Sequence, residues 1–330
     1  MKFTIKYGVS EYDINIEAFT QLLGQNMIVK SNIIDSISKH FSSYKYLEYE
    51  EKYMNNVLLD SELPGRKMFE VIRVSNIEDI ISLIKNGKNS IYIKCMKEVL
   101  AGYDCSDKIQ KIDELLIMLF SEINRNMNIG EEIELQYEMS DIFDMVQRTD
   151  VVTKEGLNIH SVNNYNIVEC FLKIINKEQE LLPDKRLIIF ENIDHYLKRD
   201  EYESFCKQCI KIAYTSNTYF IVSSSLDGFV YCDDELLEGI NIINDDIFTM
   251  SSFEKLLEFI KYNYPCEKEW NSERIYRIIT SIAQNICYKN SIIDIDSQVI
   301  LNLINKSCNI RVNRLSKPLA SEIALLVGDT

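Results

Sequence analysis

Residues 19–31 read FTQLLGQNMIVKS: an apolar run, a glycine, and a Lys-Ser pair at the head of a helical pattern. The run from Phe19 to Leu23 predicts a short strand ending at Gly24. From Ser31 onward the pattern turns helical, with Ile33, Ile34, Ile37 and Phe41 on one face. Strand, glycine loop, Lys-Ser and helix is the order of a phosphate-binding loop, whose backbone N–H groups and Lys cradle phosphate. Counted from Gly24 the spacing is G-x-x-x-x-V-K-S, so Val29 stands where a working loop has Gly. That position commonly demands a backbone that a β-branched residue resists. The reading is a degenerate phosphate loop made of Gly24, Asn26, Lys30 and Ser31, with no nucleotide expected. An ordinary strand-to-helix turn with a chance Lys-Ser, and an active nucleotidase, are the alternatives.

A second part of such a site is an acidic residue after an apolar strand. Residues 187–190 (LIIF) predict a buried strand, and Glu191-Asn192 follows it, one acid and one amide where an active site offers two acids. Tyr202, Phe205, Cys206, Cys209, Ile210 and Ala213 then stripe a helix, and 219–222 predict the next buried strand. Strand, helix and strand imply a right-handed parallel crossover. Residues 240–243 predict a further strand. At the N-terminus, Phe3, Ile5 and Tyr7, then Ile14 and Ile16, alternate as two short strands around Gly8. Residues 132–139 (EIELQYEM) predict another strand, and 166–176 a helix.

Elsewhere the period is helical. Ile77, Ile80, Ile81 and Ile84 form one stripe, broken by Asn86-Gly87; Ile109, Ile112, Leu115, Leu116 and Leu119 form another. Helices are also expected at about 252–263, 272–288, 296–306 and 315–327. With only 10 Gly and 4 Pro in 330 residues, breakers are few, as long helices require. The expected fold class is α/β: a decayed P-loop-NTPase-like head over 1–74 and 128–250, a helical leg insertion over 75–127, and a C-terminal helical appendage over 251–330.

Lys plus Arg number 36 against 51 Asp plus Glu, a net charge of −15, which repels bulk nucleic acid. Any contact with DNA must come from local basic surface. Acid-free stretches supply it: Lys85, Lys88, Lys94 and Lys97 within 80–97, and Lys306, Arg311, Arg314 and Lys317 within 297–321. Lys198 and Arg199 follow the head strand at an expected helix start. Most charge runs are solvated faces, so the two readings stand side by side. Residues 131–144 concentrate Glu132, Glu134, Glu138 and Asp141 with no basic residue. Hard oxygen ligands in such numbers suit Ca²⁺; a solvated acidic face is the other reading.

Nine scattered Cys do not form a disulfide framework. With no signal peptide, they point to the reducing cytoplasm. No apolar run reaches the ~18 residues of a membrane span. Cys206-x-x-Cys209 has half a metal motif, yet both residues fall on the apolar stripe of their helix, as core residues do. His195 with Asp194 and Ser204 lacks the nucleophile-elbow context of a hydrolase.

Three stretches together resemble a known family: 18–26 (AFTQLLGQN), 132–146 (EIELQYEMSDIFDMV), and 185–205 (KRLIIFENIDHYLKRDEYESF) followed by 218–225 (TYFIVSSS). Their order and spacing, with the degenerate loop, are similar to the Csn-two family, the CRISPR-associated spacer-acquisition proteins of type II-A systems, in its longer subfamily. The likeness covers roughly the first 250 residues, thinly in the helical insertion. It implies a homotetrameric ring of α/β heads and helical legs. Double-stranded DNA ends thread a basic central hole, bound calcium stabilises the ring, and other CRISPR adaptation proteins are partners. The family has no established catalytic residues, so no enzyme activity is expected.

Overall fold

The computed structural model describes residues 1–8, 10–87, 90–127, 135–136, 151–226, 228–233, 235–244, 246–286 and 294–308. The strands are β1 (Lys2–Tyr7), β2 (Ser10–Asn15), β3 (Phe19–Leu23), β4 (Val57–Leu59), β5 (Glu70–Val74), β6 (Arg186–Glu191), β7 (Thr218–Ser223), β8 (Ile240–Ile243) and β9 (Ile247–Thr249). The helices are α1 (Met27–His40), α2 (Ile77–Ile84), α3 (Ile91–Ala101), α4 (Tyr103–Met127), α5 (Asn164–Leu181), α6 (Arg199–Thr215), α7 (Phe253–Asn263), α8 (Ser272–Ile282) and α9 (Ile295–Ser307). The chain divides into two compact units, one of Met1–Asn76 with Asp184–Thr330, the other of Ile77–Pro183.

The first unit is built on a six-stranded sheet in the order β5-β6-β7-β3-β8-β9. Its pairs are parallel except β8–β9. Parallel strands covered on both faces read as continuous apolar runs, and every residue of β3 and β8 is buried. The crossover expected from β6 through α6 to β7 is present as adjacent parallel strands, Ile188 opposite Phe220. A small antiparallel sheet, β2-β1-β4, accompanies it. Phe3, Ile5 and Ile14 from that sheet share a core with Ile33, Ile34 and Ile37 of α1 and with Leu187 and Ile221.

A second core joins Leu23, Ile240 and Ile242 of the sheet to Leu256, Ile260, Ile275, Ile279 and Ile300. Helices α7, α8 and α9 are therefore part of the sheet's own packing, where the sequence reading set a separate appendage. The helical stripes were legible, but not what they cover. The helix expected at 315–327 lies outside the described residues.

In the second unit α5 presents Ile167, Val168, Phe171, Leu172 and Ile175, all buried, and packs with α2 and α3. Each such side chain contributes about 1.5–3 kcal/mol on burial. The sequence reading placed this helix in the head; its contacts group it with residues 77–101 instead. α4 is different. It runs 25 residues without one buried side chain among the described residues, and leaves Leu115, Ile117, Met118 and Leu119 half or more exposed. The strand expected over 132–139 lies, apart from Leu135 and Gln136, outside the described residues. Those two are in no strand, and Leu135 is bonded through its backbone to the side chain of Asn124 (2.8 and 2.7 Å).

Candidate functional site

The turn after β3 is shorter than the sequence suggests. α1 starts at Met27, four residues before the expected Ser31, so only Gly24, Gln25 and Asn26 separate strand from helix. Val29 lies in the first helical turn and has no left-handed backbone. The reason the sequence reading gave for the loop's degeneracy, strain at Val29, is thus not the operative one. Gly24 does need its glycine. Its φ is +95°, and a Cβ there would meet the Ile243 carbonyl oxygen at 2.3 Å.

What fills the loop is the protein itself. In a phosphate loop the backbone N–H groups point at the ligand. Here Gly24 N donates to Gln284 Oε1 (2.6 Å), Gln25 N to Asn244 Oδ1 (2.5 Å) and Asn26 N to Ile243 O (3.0 Å). Val29 N donates to Asn26 Oδ1 (3.1 Å), so Asn26 is the helix N-cap. The two amides are themselves tied down: Gln284 Nε2 donates to Ser224 Oγ (2.9 Å), and Asn244 Nδ2 to Ile286 O. Lys30, 1% exposed, turns inward and donates from Nζ to Ser224 O (2.7 Å). Burial pushes its ammonium down to about 8, against the attraction of Asp194. Ser31 is exposed on α1.

The acid after β6 is also engaged. Glu191 takes Arg73 Nε (2.5 Å) and Nη2 (3.1 Å) on its two oxygens, and Ser75 Oγ at 2.7 Å. Arg73 reaches Asp35 through Nη1 (2.5 Å). Asn192 turns the chain in the left-handed region, φ +52°, which Asn tolerates better than most residues. Asp194, 8% exposed, accepts from Ser225 N (3.2 Å) and from Ser225 Oγ. Neither Asn244, Gln284, Ser224 nor Arg73 was singled out in the sequence. Each reaches this site from a distant position, and nothing local marks it.

The basic candidates fall in both units. In the second, Lys85 Nζ donates to His160 Nε2 (2.7 Å), and His160 Nδ1 lies 3.4 Å from Glu78. Lys94 is half-buried on α3 and Lys97 exposed. Lys88 is outside the described residues, as are Arg311, Arg314 and Lys317. In the first unit, Lys198 caps α6 and Arg199 opens it, both exposed, with Arg199 3.8 Å from Glu203. Arg199 also lines a ~520 Å³ groove with Lys207 and Arg277. Glu132, Glu134, Glu138 and Asp141, the calcium candidates, lie outside the described residues. Among the described residues no group of three His, Cys, Asp or Glu could hold a metal ion. Cys206 and Cys209 are fully buried core, and burial pushes both thiols well up. No helix of the described residues is long and apolar enough to cross a membrane.

The fold has a close likeness among solved structures. The crystal structure of Stu0660 of Streptococcus thermophilus superposes with a TM-score of 0.86 at 20% identity, over 98% of this chain and 99% of that one. No curated protein sequence matches. The model of the CRISPR-associated protein Csn2, subfamily St, matches residues 6–319, nearly the whole length. The chain therefore belongs to the CRISPR-associated Csn2 family, in its St subfamily.

Proposed function

We propose that this chain is a non-catalytic, ring-forming protein that holds double-stranded DNA ends during CRISPR spacer acquisition, alongside the other adaptation proteins. The observation that carries the non-catalytic part is the closed loop. The N–H groups of Gly24, Gln25 and Asn26 are all bonded within the chain, and Lys30 is buried on Ser224. A phosphate would have to displace two side-chain amides that are held from behind. Glu191, clasped by Arg73, is not open to a Mg²⁺ ion. DNA binding rests on family membership and on the exposed basic residues. A −15 chain can present them inside a ring while its exterior stays acidic.

The expected result of a turnover assay with ATP is no Mg²⁺-dependent phosphate release above background. Release that disappears in Lys30→Ala would establish the alternative, an active DNA-directed ATPase. A gel-shift series should show linear duplex bound and closed circular duplex not.

Self-association draws support from α4, which leaves Leu115, Ile117, Met118 and Leu119 half or more exposed. Four copies stabilised by calcium are expected, with the acidic stretch 131–144 as ligands. An ion that binds only the assembled state stabilises it by mass action. Light scattering with calcium and with chelator should therefore give different masses or melting points. Unchanged values, with wild-type behaviour of Glu134→Gln plus Glu138→Gln, would remove calcium from the reading.

A further inference from the structure

Between α1 and the turn Glu48–Tyr53 lies a cavity of about 150 Å³. We propose that it is a seat for one unpaired nucleobase. A cavity of this volume accepts a ring of benzene size.

Tyrosines and asparagines make up most of its walls, with Asp35, Lys39 and Glu50 among them. Tyr46, Tyr49 and Tyr53 come from the segment after α1, Tyr7 from β1, and Asn32 from α1. Tyr7 and Tyr53 stack at 4.8 Å with 16° between their planes. Asn56, 5% exposed, also lines the cavity; its amide nitrogen donates to Ser36 Oγ (3.0 Å), and its carbonyl oxygen has no donor among the described residues.

Two carboxylates and Lys39 line the cavity, and both acids are hydrogen-bonded. Glu50 is bonded by Lys39 (3.0 Å), the Tyr44 hydroxyl (2.7 Å) and Leu47 N (3.1 Å). Asp35 is bonded by Arg73. Lys39 offsets Glu50, whereas Asp35 shares the one charge of Arg73 with Glu191. Cations stand on the outer tyrosine rings: Lys52 Nζ is 4.9 Å from the centre of Tyr53, and the Arg66 guanidinium 5.8 Å from that of Tyr46. Arg66 is pinned by the carbonyls of Ser42 (2.9 Å) and Tyr44 (2.7 Å), which also fixes the segment that carries the tyrosines. Aromatic faces for a base, with basic groups for its phosphate, is the combination by which proteins hold single-stranded nucleic acid. Amide edges supply the hydrogen bonds that read a base.

The base has two sources, a free nucleotide or an unpaired base at a DNA end, and only the second rests on the DNA-end reading. The test uses the full chain and two probes. The four deoxynucleoside monophosphates are titrated by calorimetry at millimolar concentration. A duplex with two-nucleotide overhangs is compared with its blunt counterpart by fluorescence anisotropy. For an end base, the overhang duplex should bind roughly tenfold more tightly, within what one base stacked on an aromatic ring contributes. That preference should vanish in Tyr49→Ala combined with Tyr53→Ala. Tyr49 is 73% exposed, so Tyr49→Ala alone keeps the fold intact and should by itself reduce the preference. Nucleotide binding lost in the same variants, with blunt and overhang duplexes held equally, assigns the seat to free nucleotides. Nucleotide binding without any duplex binding leaves the seat standing and removes the DNA-end reading. No heat from any nucleotide together with no overhang preference overturns the proposal, as does an overhang preference that Tyr49→Ala and Tyr53→Ala leave unchanged.

Discussion

Replacing Lys30 by Met is expected to change how stability depends on pH, by about 3 kcal/mol between pH 8 and 10.5. Lys30 is buried, and its ammonium is pushed down to about 8 from an ordinary 10.5. Above pH 10.5 the residue is neutral in both folded and unfolded chains, and it imposes no electrostatic cost. As pH falls toward 8 the unfolded chain takes up a proton that the folded chain resists, so the wild type loses stability across that window. One pKa unit corresponds to 1.36 kcal/mol, and the fall from 10.5 to about 8 sets the size. Below pH 8 both states are protonated and the loss is complete. Tyr and Cys titrate in the same range, so the quantity to follow is the difference between wild type and Lys30→Met. Trp270, the single tryptophan, packs against the core of the first unit and reports its urea unfolding. A difference that stays level from pH 7 to 11 would mean that the ammonium sits in water, as in an open phosphate loop, and the closed-loop account would fail.

The second large effect concerns DNA. Lys97→Ala is expected to flatten the salt dependence of duplex binding. Each phosphate neutralised by Lys or Arg contributes about −0.9 to the slope of log affinity against log salt. In a four-subunit ring one substitution removes up to four contacts, so the slope falls by up to roughly 3.6. Lys97 leads because it is exposed on α3 in an acid-free stretch. Lys94 is half-buried, and Lys85 is directed to His160, so smaller changes are expected from them. Lys198→Ala and Arg199→Ala test the first unit in the same way. Sequence should matter little, since phosphate contacts position a duplex without reading it. If Lys85, Lys88, Lys94 and Lys97 each leave the slope unchanged while the assembly stays intact, the phosphate-facing surface is elsewhere. The basic stretch 306–317 is then the next to mutate.

The sequence by itself determined the elements whose signal is local. Strands β3, β6, β7 and β8 are mostly apolar, with Thr20, Gln21 and Asn241 as polar exceptions inside β3 and β8, because parallel strands are covered on both faces, and all four were legible. The stripes of α2, α4 and α6 were legible for the same kind of reason, a 3.6-residue period against a core or an exposed face. Gly24 was legible as a turn because only glycine combines φ +95° with a carbonyl where a Cβ belongs. Tertiary structure alone decided the rest. β4 and β9 are three-residue strands, too short for a period to show, and β5 has charged residues at two of its five positions. The grouping of α5 with α2 and α3 follows from which apolar stripes meet, which spacing within one helix does not encode. The state of the phosphate loop is the clearest case. The local residues suggested a loop weakened at Val29. The deciding groups are Asn244 and Gln284, about 220 and 260 positions away in the chain, whose side-chain oxygens take the N–H groups that a phosphate would need. A hydrogen bond depends on separation in space, and only the folded sheet brings those amides to the end of β3.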